Sequence, residues 1–359
     1  MKTEILPAHT PELFHNAVRR AAELLRAGEV VALPTETVYG LAANALDENA
    51  VARIFQIKGR PANNPIIVHV AGNEMAKRCV KAWPELAERL SRAFWPGPLT
   101  LVLARSQKSE VRNQKPEISG SSGLRPPTSG LWIPDAVTAG GPTVGIRWPS
   151  HPFMQAVIRE CGFPLAAPSA NLSERVSPTN AGHVHRQLAG RIPLIVDGGQ
   201  SQVGIESTVL DLTVAPPRIL RPGMIHEESL AAAGLPVANC QLPIENGALK
   251  SPGQLKKHYS PRARLIVAAW QNEAGLLEQI GNWQLKIGNI HVIAHTHIPS
   301  PEDFANVSVI PHDAEAFARA LYAELHRCDE AGAAAIVVEA PPDLPEWAAI
   351  GDRLRRAAA

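Results

Sequence analysis

The sequence lacks several features that would place it in a common class of protein. Its 359 residues include only four cysteines, far apart and never in a C-x-x-C pair, which predicts buried free thiols rather than disulfides or a zinc site. No apolar run reaches the ~18 residues of a membrane span. The start, MKTEILPAHTPELF, has no apolar segment typical of a signal peptide. We therefore expect a cytoplasmic protein with no membrane contact.

An excess of one charge and the common nucleotide motifs are also missing. Lys plus Arg number 35 and Asp plus Glu 34, so the chain is not a bulk polyanion binder and any cationic site must be local. Aromatic residues make up only 5%, few for stacking on bases. The sequence has no G-x-x-x-x-G-K-[ST], no H-E-x-x-H and no G-x-G-x-x-G after a strand. A bound nucleotide would have to be held in some other way.

Helical periodicity alternates with short apolar runs along the first part of the chain. Helical spacing occurs at residues 11–27, 48–57, 85–95, 152–160 and 180–189. Short apolar runs predict strands at residues 30–33, 66–70, 99–103, 144–146, 165–167, 194–196, 209–212 and 218–220. This mixture predicts an α/β domain that ends near residue 225.

The rest of the chain predicts a second, smaller domain. Strands are expected at 265–269, 290–294 and 335–338, alternating with helices at 272–280, 314–327 and 346–356. That alternation is typical of a parallel sheet. Two irregular stretches remain: the Ser-, Gly- and Pro-rich residues 105–142, predicted as a surface loop, and residues 236–262, predicted as a linker.

Polar residues follow two of the predicted strands, where open α/β sheets place their ligands. Thr35 and Thr37 come directly after strand 30–33, and in extended chain their hydroxyls would share one face. Ser169 and Asn171 follow strand 165–167 at the same spacing. Taken alone, each segment is equally typical of a turn whose side chains bond to the backbone.

Cations stand at the ends of other predicted elements. Lys58 and Arg60 are two residues apart, and in extended chain both side chains would point the same way and favour an anion between them. Arg147 and Arg221 each follow a predicted strand. Singly, each is typical of a solvated surface charge. Together, the four indicate a pocket for a small polyanion such as a triphosphate.

Several segments of the chain carry a family resemblance. In order they are PTETVYGL, KGRPANNPIIVHV, FWPGPLTLVL, TVGIRWPSHP, PLAAPSANLSERVSPT, GIESTVLDL and ILRPGMI. They resemble the YrdC-like domain of threonylcarbamoyl-AMP synthases, and SPGQLKKHYSPRARL resembles the linker of the long, two-domain form. One departure is an insertion of roughly twenty residues between Leu103 and Thr143, within what a surface loop tolerates.

The resemblance implies an α/β fold in three parts. Residues 1–225 would form a YrdC-like twisted mixed sheet with a large cleft, residues 226–262 a linker folding over that cleft, and residues 263–359 a small Rossmann-like C-terminal domain. It implies an L-threonylcarbamoyladenylate synthase, a nucleotidyltransferase that converts L-threonine, bicarbonate and ATP into threonylcarbamoyl-AMP and pyrophosphate for the t6A modification of tRNA. Mg²⁺ is expected with ATP, without identified protein ligands. Hand-over to the tRNA threonylcarbamoyl transferase machinery is expected, and direct tRNA contact stays open.

The resemblance also assigns residues, position by position. Cleft residues expected to act in catalysis are Lys58, Arg60, Ser169 and Asn171. Threonine is expected at Thr37, His69, Arg147, the backbone of Ala167 and Ser207. ATP is expected at Arg60, Asn64, Thr143, Ser169, Ser177, Arg221 and the linker residues His258 and Tyr259. No Ser-His-Asp or Cys-His set is evident, so we expect positioning and charge stabilisation rather than a protein nucleophile.

Two other functions remain as alternatives. A tRNA or double-stranded RNA binding module would also place cations along a cleft, but the near-zero net charge and the scarcity of aromatics disfavour it. A carbamoyl-phosphate-handling domain of a larger maturation enzyme is disfavoured because the chain has no zinc-type cysteine cluster.

Overall fold

The computed structural model describes residues 2–106, 130–235, 252, 258–285 and 287–359. Within them, ten strands form one mixed sheet: β1 (Glu4–Pro7), β2 (Val31–Leu33), β3 (Gly40–Asn44), β4 (Val68–His69), β5 (Leu99–Ala104), β6 (Thr143–Arg147), β7 (Leu165–Ala166), β8 (Leu194–Asp197), β9 (Thr208–Asp211) and β10 (Arg218–Arg221). Their spatial order is β1-β8-β2-β3-β7-β4-β6-β5-β9-β10. Parallel and antiparallel pairs occur side by side, so the predicted mixed α/β sheet is confirmed.

Helices cover both faces of this sheet. They are α1 (Pro11–Arg26), α2 (Glu48–Lys58), α3 (Asn73–Arg78), α4 (Glu85–Phe94), α5 (Asp135–Thr138), α6 (Pro152–Cys161), α7 (Ala181–Leu188) and α8 (Glu227–Ala232). Side chains alternate across β2, so Val31 packs with α1 and α6 while Ala32 packs with α2 and α4. The apolar periodicity that predicts these helices is therefore the pattern of their buried faces.

The two irregular stretches contain more structure than their composition predicts. Residues 135–138 form α5, and the nearby Ile133 and Val137 are buried, so the C-terminal part of the predicted loop belongs to the core. Likewise α8 lies inside the predicted linker 226–262, and Leu230 and Leu235 pack with the first domain. The remainders of both predicted segments, 107–129, 236–251 and 253–257, lie outside the described residues.

The C-terminal domain contains a second sheet. Its strands are β11 (Arg264–Ala268), β12 (Ile290–Ala294), β13 (Asn306–Val309) and β14 (Ala335–Glu339), in the order β11-β14-β12-β13. All the pairs are parallel, as predicted, although β13 was not expected. The helices are α9 (Glu273–Asn282), α10 (Ala314–Glu330) and α11 (Ala348–Ala357), with 3-10 turns at Ile287–Asn289, Pro301–Asp303 and Pro345–Trp347.

The two domains share a buried seam. Val38, Val176 and Ile205 of the first domain belong to one apolar cluster with Phe317 of α10 and Tyr259. Burial of this apolar surface holds the C-terminal domain directly behind the segments that carry the predicted site. No helix among the described residues is both long enough and apolar enough to cross a membrane.

Candidate active site

Most of the predicted site residues line one cavity at the edge of the large sheet, where β2, β4, β6 and β10 end. The cavity has a volume of about 50 Å³ and its lining includes Thr37, Arg60, His69, Arg147, Ala167, Ser169, Ser207, Arg221, His258 and Tyr259. Lys58, Asn64 and Ser177 lie behind this lining, each hydrogen-bonded to a residue in it. Thr143 does not line the cavity and lies at the opposite end of β6 from Arg147, so its role stays a prediction.

Thr35 and Thr37 lie in a turn rather than in extended chain. The Thr37 N–H donates to Thr35 Oγ1 at 3.2 Å, and the two hydroxyl oxygens are 3.0 Å apart. The Thr35 hydroxyl donates to the Val38 carbonyl at 2.6 Å. A threonine hydroxyl that bonds two residues ahead bends the chain locally. Extended chain is therefore not observed, whereas the turn that the sequence left equally open is, and both threonines line the cavity.

Arg147 is held at the end of β6 by three contacts. Its Nη1 donates to Thr37 Oγ1 at 2.9 Å, its Nε donates to the Gly97 carbonyl at 3.2 Å, and its Nη2 lies 2.6 Å from Glu36 Oε1. Burial alone would raise the pKa of Glu36, but the Arg147 charge and hydrogen bonds hold that pKa below its usual range. The guanidinium is thus fixed in place and partly neutralised.

Lys58 is the last residue of α2, which ends at Gly59 with a left-handed φ of 62°. The chain therefore turns between Lys58 and Arg60, and the prediction of extended chain is wrong there. Lys58 Nζ donates to the backbone carbonyls of Ser169 and Asn171 and lies 3.3 Å from Asn171 Oδ1. One ammonium thereby fixes the segment that carries both predicted polar side chains.

Arg60 reaches the cavity from the other side of this turn. Its Nε donates to the Asn64 carbonyl at 3.0 Å, and its Nη2 donates to Asn64 Oδ1 and the Pro65 carbonyl, both at 2.7 Å. Burial lowers the pKa of Arg60 to about 9, so it still carries its charge at neutral pH. Neutral acceptors orient this cation without cancelling its charge.

Arg221, at the end of β10, is hydrogen-bonded to Ser207, the residue directly before the neighbouring strand β9. Its Nε donates to the Ser207 carbonyl at 3.0 Å and its Nη2 to Ser207 Oγ at 3.1 Å. Ser207 Oγ also lies 2.8 Å from Thr100 Oγ1, while Arg221 Nη1 donates to the Pro252 carbonyl at 3.4 Å. Ser207 is therefore held between a cation and a hydroxyl.

Three of these buried cations have no carboxylate in ion-pair contact within the described part of the chain. They are Lys58, Arg60 and Arg221, whose bonds go to carbonyls, an amide and a hydroxyl. Burial lowers the pKa of all three, and for Lys58 the nearby Arg60 charge adds to the effect. Concentrated charge without a counter-ion is costly in a buried site. An incoming polyanion would remove that cost.

Glu206 is a buried carboxylate in the cavity wall, and it is fully bonded. Ser177 Oγ donates to its Oε1 at 2.6 Å, while Tyr322 OH and Arg353 Nε donate to its Oε2 at 3.0 and 2.8 Å. Burial alone would raise the pKa of Glu206, but the nearby arginines, Arg353 foremost, lower it to about 2. The ion pair of Glu206 is therefore with Arg353 of the C-terminal domain rather than with the cavity cations.

Besides Arg147 Nη2, which is in ion-pair contact with Glu36, three lining side chains keep a polar atom without a hydrogen-bond partner among the described residues: His69 Nδ1, His258 Nδ1 and Tyr259 OH. Burial lowers the pKa of both histidines to about 3 and raises the pKa of Tyr259. All three are thus neutral near pH 7. Unsatisfied neutral groups facing a cavity are suited to hydrogen bonds with a bound molecule.

Five residues of this network have no role predicted from the sequence. Glu36, Thr100 and Glu206 lie within PTETVYGL, FWPGPLTLVL and GIESTVLDL, so the segments are recognisable but these side chains are not singled out. Tyr322 and Arg353 lie on helices of the C-terminal domain, and no local pattern distinguishes them from other helix residues. Only the folded arrangement connects them to the cavity.

One cluster of possible metal ligands lies outside the cavity. In the described residues, His183, His326 and Glu330 bring possible ligand atoms within 4.8 Å of one another. The two imidazole rings stack, with centroids 3.9 Å apart and planes at 22°. Both ring nitrogens of His183 are within hydrogen-bond distance of Thr179 and Asn180, and His326 Nε2 is 3.1 Å from the Ser177 carbonyl, so these atoms already have partners other than a metal ion.

Comparisons with known proteins cover nearly the whole chain. The Sua5/YciO/YrdC family model, described as "Telomere recombination", matches residues 23–132 and 128–223, and the model "Threonylcarbamoyl-AMP synthase, C-terminal domain" matches residues 224–359. The chain is 38% identical over 348 residues to the threonylcarbamoyl-AMP synthase of Pyrococcus abyssi, covering 95% of this chain and 93% of that one. It belongs to the threonylcarbamoyl-AMP synthase family.

Further matches agree. The threonylcarbamoyl-AMP synthase of Bacillus subtilis is 40% identical over 354 residues, covering 97% of this chain and 95% of the relative. The crystal structure of P. abyssi Sua5 complexed with L-threonine superposes with a TM-score of 0.83 at 35% identity, over 100% of this chain and 98% of that one. The predicted family and fold are confirmed, and the family is one of enzymes rather than RNA-binding modules. The roles of single residues stay predictions.

Proposed function

We propose that this chain is an L-threonylcarbamoyladenylate synthase. It joins L-threonine, bicarbonate and ATP into threonylcarbamoyl-AMP, releases pyrophosphate, and supplies the product for the t6A modification of tRNA. The observation that carries the proposal is the group of buried cations that make no ion pair with a carboxylate of the described residues, Lys58, Arg60 and Arg221, beside the fixed pair of Thr37 and Arg147. This arrangement provides an anion site next to an amino-acid site.

The threonine side of the cavity contains hydroxyls and one oriented guanidinium. Arg147 keeps one N–H on each terminal nitrogen beyond its contacts to Glu36 and Thr37, enough to bind a carboxylate end-on. Thr37 and Ser207 would contact the threonine hydroxyl and methyl group, and neutral His69 would contact the amine. The uncharged amine takes up bicarbonate with loss of water and becomes an N-carboxylate.

The ATP side contains the three cations that make no ion pair within the described part of the chain. An oxygen of the N-carboxylate attacks the α-phosphorus, and the bond from that phosphorus to the bridging oxygen of pyrophosphate breaks. Arg60 and Arg221 would stabilise the charge that develops on the phosphoryl oxygens and on the leaving group. Lys58 would act mainly by holding Ser169 and Asn171 in place. No protein nucleophile is required.

Mg²⁺ is proposed to enter as part of the MgATP substrate. The two carboxylates beside the cavity are already engaged, Glu36 with Arg147 and Glu206 with Arg353. Phosphate oxygens and water would therefore supply its ligands, as is usual for Mg²⁺ in nucleotide sites.

The cavity must widen for both substrates to enter. Its volume of about 50 Å³ has room for a few water molecules, whereas small-molecule sites are generally ~300 Å³ or larger. His258 and Tyr259 form part of its wall, so we propose that they move outward and return over the bound substrates. Closure would shield the labile mixed anhydride from water before hand-over to the tRNA-modifying machinery in the cytoplasm.

The decisive experiment measures pyrophosphate release with MgATP, bicarbonate and single amino acids. We expect release that depends on both threonine and bicarbonate, together with a product of the mass of threonylcarbamoyl-AMP. Serine, valine and allo-threonine serve as matched controls, because each alters the side-chain hydroxyl, methyl group or stereochemistry. Release without amino-acid dependence, or no release, would rule the proposal out.

A further inference from the structure

The C-terminal domain reaches the cavity wall through two buried side chains. Arg353 of α11 is fully buried and places its Nε 2.8 Å from Glu206 Oε2, and its Nη2 donates to the Glu206 carbonyl at 3.3 Å. Tyr322 of α10 donates its hydroxyl to the same Oε2 at 3.0 Å. The partners are more than a hundred residues apart in sequence, so only the packed domains bring them together.

Glu206 in turn connects these residues to the ATP side of the site. Its other oxygen accepts the Ser177 hydroxyl at 2.6 Å. Arg353 also lies 5.3 Å from the ring centroid of Tyr259, which stacks on Tyr322 at 5.8 Å. Arg353 and Tyr322 of the second domain therefore both contact Glu206 and Tyr259, two residues of the cavity.

A backbone contact on the same seam supports this connection. Gly204 has a left-handed φ of 84°, and a Cβ there would lie 2.4 Å from the Ala318 carbonyl oxygen of α10. The Val203 and Gly204 N–H groups donate to the carbonyls of Glu36 and Thr37 at 2.7 and 3.1 Å. The segment before Glu206 is thus pressed between the C-terminal domain and the predicted threonine-binding turn.

We propose that Arg353 and Tyr322 are positioning residues for adenylation: they hold the Glu206 carboxylate away from the phosphate-binding cations and keep Ser177 in place. This inference rests on the proposed function. Glu206 interacts electrostatically with Lys58 and Arg221, so it competes with ATP phosphates for those cations. The ion pair with Arg353 offsets part of the Glu206 charge and holds the carboxylate at its contacts with Arg353 and Ser177, which limits that competition.

The chemistry of the contact argues against simple domain packing. Arg353 also pairs with Asp352 at 2.8 Å, so three charged side chains are buried together. Apolar residues of similar size hold two domains together at least as well as buried ions do. Next to a site for a triphosphate, a buried ion pair has a role that apolar packing cannot fill: it fixes the position of the Glu206 charge.

Steady-state kinetics of three variants test the inference. Tyr322→Phe removes one hydroxyl and keeps the packed ring, and we expect it to raise the ATP KM about fivefold while the threonine KM stays within about twofold. Arg353→Met should lower kcat/KM for ATP about a hundredfold, and Arg353→Lys should restore part of the loss. Arg355→Met, an exposed neighbour on the same helix, is the matched control and should match the wild type.

A double-mutant cycle identifies the route of the effect. If Arg353 acts through Glu206, Arg353→Met should change kcat/KM less than about twofold in a Glu206→Gln background. Wild-type activity together with unchanged ATP kinetics in Tyr322→Phe, or a full Arg353→Met effect in that background, would overturn the inference and leave the proposed function intact. If the wild type shows no threonine-dependent release, the proposed function fails and this inference fails with it.

Discussion

Glu36 and Arg147 form a buried ion pair, with Glu36 Oε1 2.6 Å from Arg147 Nη2, that joins the turn after β2 to the end of β6. Both side chains are less than a tenth exposed, so water does not screen the pair strongly. Glu36 occupies one side of the Arg147 guanidinium, while Thr37 and Gly97 occupy others. Arg147 would therefore present its free N–H groups to the predicted threonine carboxylate in one orientation, which favours selection by shape over attraction by net charge.

Replacing Arg147 by lysine tests this orientation. Lysine keeps the charge but loses the planar fork that bonds to Thr37 and Gly97 and would bind a carboxylate end-on. We expect the threonine KM to rise about ten- to a hundredfold with a smaller change in the ATP KM. Threonine titrations of pyrophosphate release measure both. Arg159→Lys, an exposed arginine of α6, is the control, and equal threonine KM values in the two variants would contradict the assignment.

The same pair predicts a stability difference. Glu36→Gln leaves the buried Arg147 without its counter-charge, so we expect the free energy of unfolding to fall by about 2–4 kcal/mol. Glu160→Gln is the matched control, because the Glu160–Arg26 pair is nearly half exposed and should contribute less than ~1 kcal/mol. Urea denaturation followed by circular dichroism measures both. Equal losses in the two variants would show that the buried pair has no special weight.

The sequence predicts much of the fold because periodicity is a local property. α1, α2 and α10 repeat apolar residues at helical spacing, and the structure buries those faces. β3 was missed because GLAAN has none of the β-branched residues typical of strands; pairing with β2 and β7 on both sides decides its conformation instead. At Gly59 a left-handed glycine overrides the predicted extended chain, and at Thr35–Thr37 a hydroxyl decides for the turn between the two conformations that the sequence left open.

The candidate site is predictable to the extent that its residues lie in recognisable segments. Arg147 and Arg221 each end a strand, Arg60 lies two residues after the end of α2, and the structure brings all three to one cavity. Their partners are less predictable: Glu36 lies 111 residues from Arg147, and Arg353 lies 147 residues from Glu206. A contact over such a separation depends on the topology of both domains, which no single segment encodes.

Asn64 should affect ATP binding through Arg60. Its side-chain oxygen accepts from Arg60 Nη2 at 2.7 Å, so Asn64→Ala removes one of the acceptors that orient this guanidinium. We expect the ATP KM to rise about three- to tenfold, because the variant loses one charge-assisted hydrogen bond and that bond affects ATP only through the orientation of Arg60. Initial rates at varied ATP measure the change. Asn63→Ala, the exposed neighbour, should match the wild type; a comparable loss there would point to general damage to the segment.

Removal of Mg²⁺ should abolish activity, although we expect the protein alone to have no tight Mg²⁺ site. With Glu36 and Glu206 both paired to arginines, we expect no tight binding of divalent cations to the protein alone. Mn²⁺ can replace Mg²⁺ as a probe, and electron paramagnetic resonance should detect its binding only after ATP is added. EDTA should stop pyrophosphate release and excess Mg²⁺ restore it. Tight Mn²⁺ binding without nucleotide would reveal a protein-held metal site.

His69 should not titrate in the working pH range. Burial first, and then the Arg147 charge, lower its pKa to about 3, so the neutral form prevails throughout the range above about pH 5. His69→Asn keeps a neutral hydrogen-bonding group near Nδ1. We therefore expect the wild-type-to-variant ratio of kcat/KM for threonine to stay constant between about pH 6 and 8.5.

The ratio is the decisive quantity because bicarbonate itself equilibrates with carbon dioxide in this range, and that effect is common to both enzymes. If His69 instead titrated near its ordinary value of about 6.5, its protonated ring would stand beside Arg147 and oppose binding of a cationic amine at low pH. The wild type would then lose activity relative to His69→Asn as the pH falls below 7. A ratio that changes several-fold across this interval would exclude a permanently neutral His69.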